Sequence, residues 1–199
     1  TVADRFLASN VDAYVAVAGH IKRKLVAKGL PEGKVRVIYN GVDPAWYACT
    51  PEQAAQARAD RGLKKEDFLA AAFCRLSPEK GLFTLLEAAD LTGGHGIKYV
   101  IAGRGPLEAE LRSRIAEHQF GGDFTLAGFQ YDVRPLLWAA DLVLLPSTRE
   151  GFPMSVLEAM AAGKPLAASR IEGVDESVTD GLNGLLVPAR DAVALASAI

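Results

Sequence analysis

The sequence predicts an α/β fold in which a parallel sheet is wound on both faces by helices, and three observations predict it. Short β-branched or aliphatic runs alternate with longer helical stretches, the pattern of βαβ units. From about residue 68 those runs are continuously apolar, as in strands buried on both faces. Half of the 199 residues are hydrophobic, enough for one large domain, or one domain and part of another, to hold a sizeable core. The expected architecture is a doubly wound, parallel, six-stranded Rossmann-like sheet.

The elements follow in order. YVAV (14–17) reads as a strand, and GHIKRKLVAKG (19–29) reads as a helix closed by Gly29. VRVI (35–38) is a strand running into the turn NGVDP. Residues 1–40 thus read as a strand–helix–strand piece outside the main sheet. A polar, Ala-rich helix spans 51–61. The six main strands are LAAAFC (69–74), KYVIAG (98–103), DFTLAG (123–128), DLVLLP (141–146), PLAAS (165–169) and NGLLV (183–187). Helices at 81–91, 106–118, 132–139, 154–162 and near 174–179 connect them, and a last helix starts after them.

Bulk properties narrow the function. Lys and Arg number 22 and Asp and Glu 24, a net charge of −2 that does not argue for nucleic acid or a membrane as partner. Cys49 and Cys74 make no disulfide framework and fit a reducing cytosol. No apolar run approaches the roughly 20 residues of a membrane span, and no basic-then-apolar leader is present. The chain opens on Thr1 and closes inside the helical run ALASAI, so it is expected to be a piece of a longer product.

In a doubly wound sheet, ligands bind beyond the carboxyl ends of the strands at the topological switch point. Chemistry is therefore sought in the strand-end loops. The first, CRLSPEKG (74–81), sets Arg75 and Lys80 on either side of Ser77-Pro78. A guanidinium fork and a flexible ammonium suit a phosphate, although two solvated cations would look the same. In AGRGPLEAEL (102–111), Gly103 and Gly105 allow close backbone approach and Pro106 suits a first helical position. This Gly-x-Gly lacks a third glycine and a well-placed acid for a dinucleotide, and a plain tight turn explains it equally.

The fourth strand ends in PSTREGFPMSVLEAM. Pro153 at the helix start leaves the amides of Met154, Ser155 and Val156 free to face an anion at the positive end of the helix. Glu150 lies just upstream, and Glu158 sits about 7.5 Å up the axis. The two carboxylates flank the anion site, Glu158 suited to a ribose diol and Glu150 to a sugar hydroxyl. The plainer alternatives are a solvent-facing helix residue and a near-cap acid.

Taken together, the loops resemble the donor-binding domain of retaining family 4 glycosyltransferases (glycosyl transferases group 1), enzymes of the two-domain GT-B fold. KVRVIYNGVDP resembles the interdomain segment, RLSPEKG the Arg-Leu-x-x-x-Lys-Gly loop, IAGRGPLEAEL the Gly-x-Gly-Pro turn, and EGFPMSVLE the Glu-x7-Glu motif. AAGKPLAAS and DGLNGLLVP resemble the two strands that follow. The resemblance implies that residues 1–40 are the tail of an amino-terminal acceptor domain with the interdomain segment, and that 41–199 form a nucleotide-sugar-binding domain truncated at its end. It implies glycosyl transfer from a nucleotide sugar with retention at the anomeric carbon. Arg75 and Lys80 would hold the diphosphate and stabilise the leaving group. Glu158 would bind the ribose. Glu150 and the amides of Gly151, Phe152, Met154, Ser155 and Val156, around Pro153, would position the sugar and distal phosphate. No metal and no cofactor beyond the donor is expected, because cations and helix amides do the electrostatic work. The acceptor is an unspecified glycan, lipid or small molecule, and the chain alone is expected to be inactive without an acceptor domain.

Two departures from the family pattern stand out: Cys74 replaces the Gly before the Arg, and Arg104 stands where a small acidic residue often lies between the glycines. VAGH (17–20) takes the place of a Val-Ser-Glu helix start. His20, His95 and His118 show no metal-ligand spacing. Lys22, Arg23, Lys24 and Lys28 read as a solvated face with a contact to anionic lipid left open. The expected location is the cytoplasm, with peripheral contact at the inner membrane face left open. Other readings are a non-catalytic nucleotide-binding or scaffold domain and another GT-B enzyme. A phosphorylase-like enzyme would want a cofactor-binding lysine context, and a sugar-nucleotide epimerase would lack the Glu-x7-Glu pattern. A dehydrogenase rests on Gly-x-Gly alone.

Overall fold

The structure, a computed structural model, describes residues 11–93, 96–117 and 121–199, so His95 and His118 lie outside the described residues. In chain order the elements are β1 (Tyr14–Ala16), α1 (Gly19–Ala27), β2 (Val35–Val37), α2 (Pro44–Tyr47), α3 (Pro51–Ala59), β3 (Phe68–Phe73), α4 (Leu82–Leu91), β4 (Ile97–Ala102), α5 (Glu108–Glu117), β5 (Phe124–Gly128), α6 (Arg134–Ala139), β6 (Leu142–Leu145), α7 (Met154–Ala161), β7 (Leu166–Arg170), β8 (Leu185–Pro188) and α8 (Ala192–Ala198). A 3-10 turn at Pro78–Lys80 precedes α4.

Strands β3 to β8 pair in parallel in the order β5-β4-β3-β6-β7-β8, which is the predicted six-stranded sheet. The chain winds outward from β3 to β5, then returns to β6 on the other side of β3. That reversal opens a crevice beyond the carboxyl ends of β3 and β6. Strands β1 and β2 form a separate two-stranded parallel sheet.

Alternation along each strand divides the core between two faces. Leu69, Ala71 and Phe73 pack with Val143 and Leu145 beneath α3, α6 and α7. Ala70 and Ala72 pack with Ile101, Leu142 and Leu144 beneath α4, α5 and α8. The middle of the central strand β3 is Ala70, Ala71 and Ala72, small side chains that all lie buried between the two helix layers.

Two local readings are corrected, and one short helix is added. Residues 172–177 form successive turns instead of the helix expected near 174–179. Gly173, at φ 92°, cannot continue a right-handed helix. Helix α5 starts at Glu108, so Pro106 lies in the turn before it. The amide just before it is used elsewhere: Leu107 N–H donates to the Leu76 carbonyl at 3.0 Å. The turn NGVDP runs directly into the short helix α2, capped by Asp43, which accepts from the Ala45 amide at 2.9 Å.

The 172–177 turns carry Glu176 to the amino terminus of α1. Its carboxylate accepts from the amides of Gly19 (2.7 Å) and His20 (2.8 Å), from His20 Nδ1 (3.0 Å) and from the Tyr39 hydroxyl (3.0 Å). His20 is buried. Burial pushes the Glu176 carboxyl up, but the His20 and Gly19 amides, the His20 ring and Tyr39 together hold it down at about 2.

Two outcomes follow for stability. Gly62 and Gly81 share a left-handed conformation, φ 66° and 63°. A Cβ on Gly62 would meet nothing within 4 Å, whereas one on Gly81 would lie 1.9 Å from the Pro146 carbonyl oxygen. Gly62→Ala is expected to cost about 1 kcal/mol, the backbone penalty alone. Gly81→Ala should cost about 3 kcal/mol or more, because two strand-end loops must part. Urea unfolding compares them, and equal losses would show that the loops yield freely. The second outcome concerns acid. Glu176 titrates near 2 when folded against an ordinary 4.5, so in that window the unfolded chain binds the extra proton. Its contribution is complete above pH 4.5 and is lost as pH falls toward about 2. Glu176→Gln should flatten the urea midpoint against pH across that interval, and an unchanged slope would remove the clasp from the balance.

Candidate active site

The loop after β3 leaves the sheet with its backbone held on both sides. Cys74 N–H donates to the Ala102 carbonyl and Leu76 N–H to the Arg104 carbonyl, each at 3.0 Å. A Cβ on Gly103 would lie 1.8 Å from the Cys74 carbonyl oxygen, and one on Gly105 would lie 2.3 Å from that of Leu76. The loop after β4 therefore lies directly on the loop after β3. On the other side, Thr148 N–H donates to the Glu79 carbonyl at 2.7 Å, joining the loop after β6. These ties bring the ends of β4, β3 and β6 around a cavity of about 500 Å³.

Arg75, Lys80, Gly103, Glu150, Pro153, Met154, Ser155 and Glu158 all line this cavity. Arg75 is exposed and has no ion-pair partner among the described residues. Lys80 does not stand free beside it. Its ammonium donates to both oxygens of Glu150, at 2.7 and 2.9 Å, and Ser147 Oγ donates to Glu150 Oε1 at 2.6 Å. The Glu150 side chain is only 8% exposed and that of Lys80 19%, so neither charge could lie here unpaired without a large desolvation cost. The residue expected on the diphosphate and the one expected on the transferred sugar are thus bonded to each other. The cavity thus holds one neutralised pair, and among the described residues two further cations, Arg75 and Arg104, line it without an ion-pair partner.

Helix α7 has Pro153 as its N-cap, with no side chain capping it. Its first amides lack intrahelical acceptors and point out of the helix end where Met154 and Ser155 line the cavity. Glu158, one turn further on, is half-buried and faces the same space. Burial pushes its carboxyl up, opposed by the Tyr47 hydroxyl, which donates to Oε1 at 3.1 Å.

Four of the residues expected at the site lie outside the cavity lining: Gly105, Gly151, Phe152 and Val156. Gly105 is spent on the contact with Leu76. The Val156 side chain is fully buried in the core, which leaves only its amide for a ligand. Phe152 packs its ring 5.1 Å from that of Tyr39, and its carbonyl accepts from Asn40 Nδ2 at 3.1 Å. A Cβ on Gly173 would lie 2.4 Å from the Gly151 carbonyl oxygen, so the loop after β7 presses on this loop as well. Gly151 and Phe152 anchor the loop that carries Glu150.

The sequence reading passed over Phe129, Gln130 and Val133, which form the wall beyond β5. The strand-end rule points to them, but nothing in GFQYDV marks them chemically. Arg104 lies with its guanidinium 4.3 Å from the centre of the Phe129 ring, and Tyr131 meets that ring edge-on at 5.0 Å. Cys74 also lines the cavity, but burial pushes its thiol up to about 12, so it is no nucleophile at neutral pH.

Comparison with known proteins bears on the family and the fold. The profile of the glycosyl transferases group 1 matches residues 53–199, and that of Glycosyltransferase Family 4 matches residues 3–46. The amylovoran biosynthesis glycosyltransferase AmsK of Erwinia amylovora is 32% identical over 191 residues, covering 88% of this chain and 44% of AmsK. The lipopolysaccharide 1,2-N-acetylglucosaminetransferase of Salmonella typhimurium is 31% identical over 185 residues, covering 87% of this chain and 48% of the relative. The chain therefore spans about half the length of the curated relatives it matches. Among solved structures, Anabaena Alr3699/HepE in complex with UDP and glucose superposes with a TM-score of 0.88 at 27% identity, covering 94% of this chain and 52% of HepE. Sucrose-phosphate synthase of Thermosynechococcus elongatus gives 0.81 at 26% identity, covering 98% and 50%. The fold is that of a GT-B glycosyltransferase half, and the chain belongs to the family of glycosyl transferases group 1.

Proposed function

We propose that this chain supplies the donor-binding half of an enzyme that transfers a glycosyl group from a nucleoside diphosphate sugar with retention of anomeric configuration. One observation carries the reading. A free guanidinium, a Lys–Glu pair, an uncapped helix amino terminus and a half-buried carboxylate converge on a single cavity at the switch point of the sheet. Each answers a part of such a donor. Arg75 and the α7 amides take the diphosphate, Lys80 shares its charge between Glu150 and the distal phosphate, and Glu158 takes the ribose hydroxyls. Glu150, held by Lys80 and Ser147, faces the transferred sugar. The Anabaena HepE structures with UDP, with UDP-glucose, and with UDP and glucose support the same ligand class here.

In the reaction, the bond between the anomeric carbon and the distal phosphate oxygen breaks, an acceptor oxygen bonds to that carbon, and the acceptor's proton passes to the phosphate oxygen that has left. Charge develops on the departing diphosphate. Arg75, Lys80 and the helix amides are already aimed there, so little reorganisation is needed. These groups supply the positive charge without a metal in the reading advanced here. Residues 1–40 would belong to the acceptor side and 41–199 to the donor side, and the chain alone would bind donor without transferring sugar.

Calorimetry with UDP, GDP, ADP and NAD is expected to show binding of a nucleoside diphosphate. Tight NAD binding with no response to any of the three diphosphates would overturn the reading. Glu158→Ala should weaken the diphosphate by about tenfold or more, since a charged hydrogen-bond acceptor is lost. Unchanged affinity would remove its ribose role. Arg75→Ala should weaken the nucleoside diphosphate much more than the corresponding nucleoside, and equal losses would count against a phosphate clamp.

A further inference from the structure

Tyr47 is outside the cavity, yet it is tied to the cavity's ribose-side carboxylate. Its hydroxyl donates to Glu158 Oε1 at 3.1 Å, while Glu158 Oε2 has no hydrogen-bond partner among the described residues. Tyr47 is itself held from two directions. Its carbonyl accepts from Trp138 Nε1 at 2.9 Å. Next to it, Arg134 lies 4.4 Å from the centre of the Trp46 ring and 5.8 Å from that of Trp138. The Arg134 fork is fixed in turn on Asp132, Nε to Oδ1 at 2.8 Å and NH2 to Oδ2 at 2.6 Å. Helix α2 is only four residues long, so these side-chain ties, and not helix length, fix where the hydroxyl points.

We infer that Tyr47 is a positioning residue for donor binding: it occupies one oxygen of Glu158 and leaves the other directed at the ligand. The inference rests on the reading of Glu158 as the ribose carboxylate. A glutamate side chain has three rotatable bonds, and one held in its binding rotamer before the ligand arrives loses less entropy on binding. The hydroxyl has a second effect. Burial of Glu158 favours its neutral form, and the Tyr47 hydrogen bond favours the charged one. Other charged groups around the site are Arg75 and Lys80 from the loop after β3, Arg104 from the loop after β4 and Glu150 from the loop after β6, with Asp132 and Arg134 on the far side of Tyr47. Removing the hydroxyl therefore raises the pH at which Glu158 gains its proton.

The test uses the whole chain and whichever of UDP, GDP or ADP it binds most tightly, measured by calorimetry across pH for the native protein, Tyr47→Phe, Glu158→Ala and the double variant. Tyr47→Phe keeps the ring packing and removes one oxygen. It is expected to weaken binding by about tenfold and to move the acid limb of affinity to higher pH. It should add no further loss in the Glu158→Ala background. Native affinity and an unmoved limb in Tyr47→Phe would overturn the inference. So would a full additional loss in the double variant, the signature of a merely structural role. If Glu158→Ala alone binds as the native protein does, or none of the three diphosphates binds, the ribose reading fails and takes the inference with it.

Discussion

Backbone lying on backbone at the carboxyl edge of the sheet is the constraint on which the rest of the structure depends. The loops after β3, β4, β6 and β7 touch through carbonyl oxygens, with less space between them than a methyl group occupies: Gly103 on Cys74, Gly105 on Leu76, Gly81 on Pro146 and Gly173 on Gly151. Loops packed so closely cannot move independently. The side chains they carry therefore stand in a fixed relation although they come from positions spread between 75 and 158. A cavity built this way is formed before any ligand reaches it, which suits electrostatic stabilisation of a developing charge.

Within that frame the charges are arranged unequally. Lys80 and Glu150 neutralise each other, and Ser147 completes the carboxylate's hydrogen bonding. Such a pair adds little net stability once desolvation is counted. Its use is geometric, since it holds a lysine and a glutamate at one spot in a partly buried wall. Arg75 is exposed instead, and its charge is available without breaking any contact. An incoming anion thus meets Arg75 and the α7 amides at little desolvation cost, and competes with Glu150 only for Lys80.

Much of this was legible in the sequence, and the legible part has a clear physical source. Continuous apolar runs at β3 to β8 gave the number of strands, and the strand-end rule led to Arg75, Lys80, Glu150 and Glu158, all of which line one cavity. What local sequence does not contain is partner choice. Nothing in RLSPEKG says that Lys80 bonds Glu150, because that pairing depends on β3 and β6 being neighbours. A helix is expected near 174–179, but the chain there forms successive turns, and these carry Glu176 to the Gly19 and His20 amides. EGFPMS looks like a run of ligand-facing backbone, yet Phe152 faces away from the cavity to meet Tyr39. In each case a long-range contact outweighed the local pattern.

The same long-range contacts show that residues outside the main sheet help to shape the cavity. Residues 19–47 contribute no strand to the six-stranded sheet and do not line the cavity, yet they hold it at three points. Gly19, His20 and Tyr39 grip Glu176 beside the loop after β7. Asn40 and Tyr39 hold Phe152, two residues from Glu150. Tyr47 holds Glu158. The carboxylates that flank the helix amino terminus are thus aimed from different places: Tyr47 holds Glu158 from outside the sheet, while Lys80 and Ser147 hold Glu150 from the sheet's own strand-end loops. A shift of the outer segment would therefore reach Glu158 directly and Glu150 only through the Phe152 backbone, against the pull of Lys80 and Ser147.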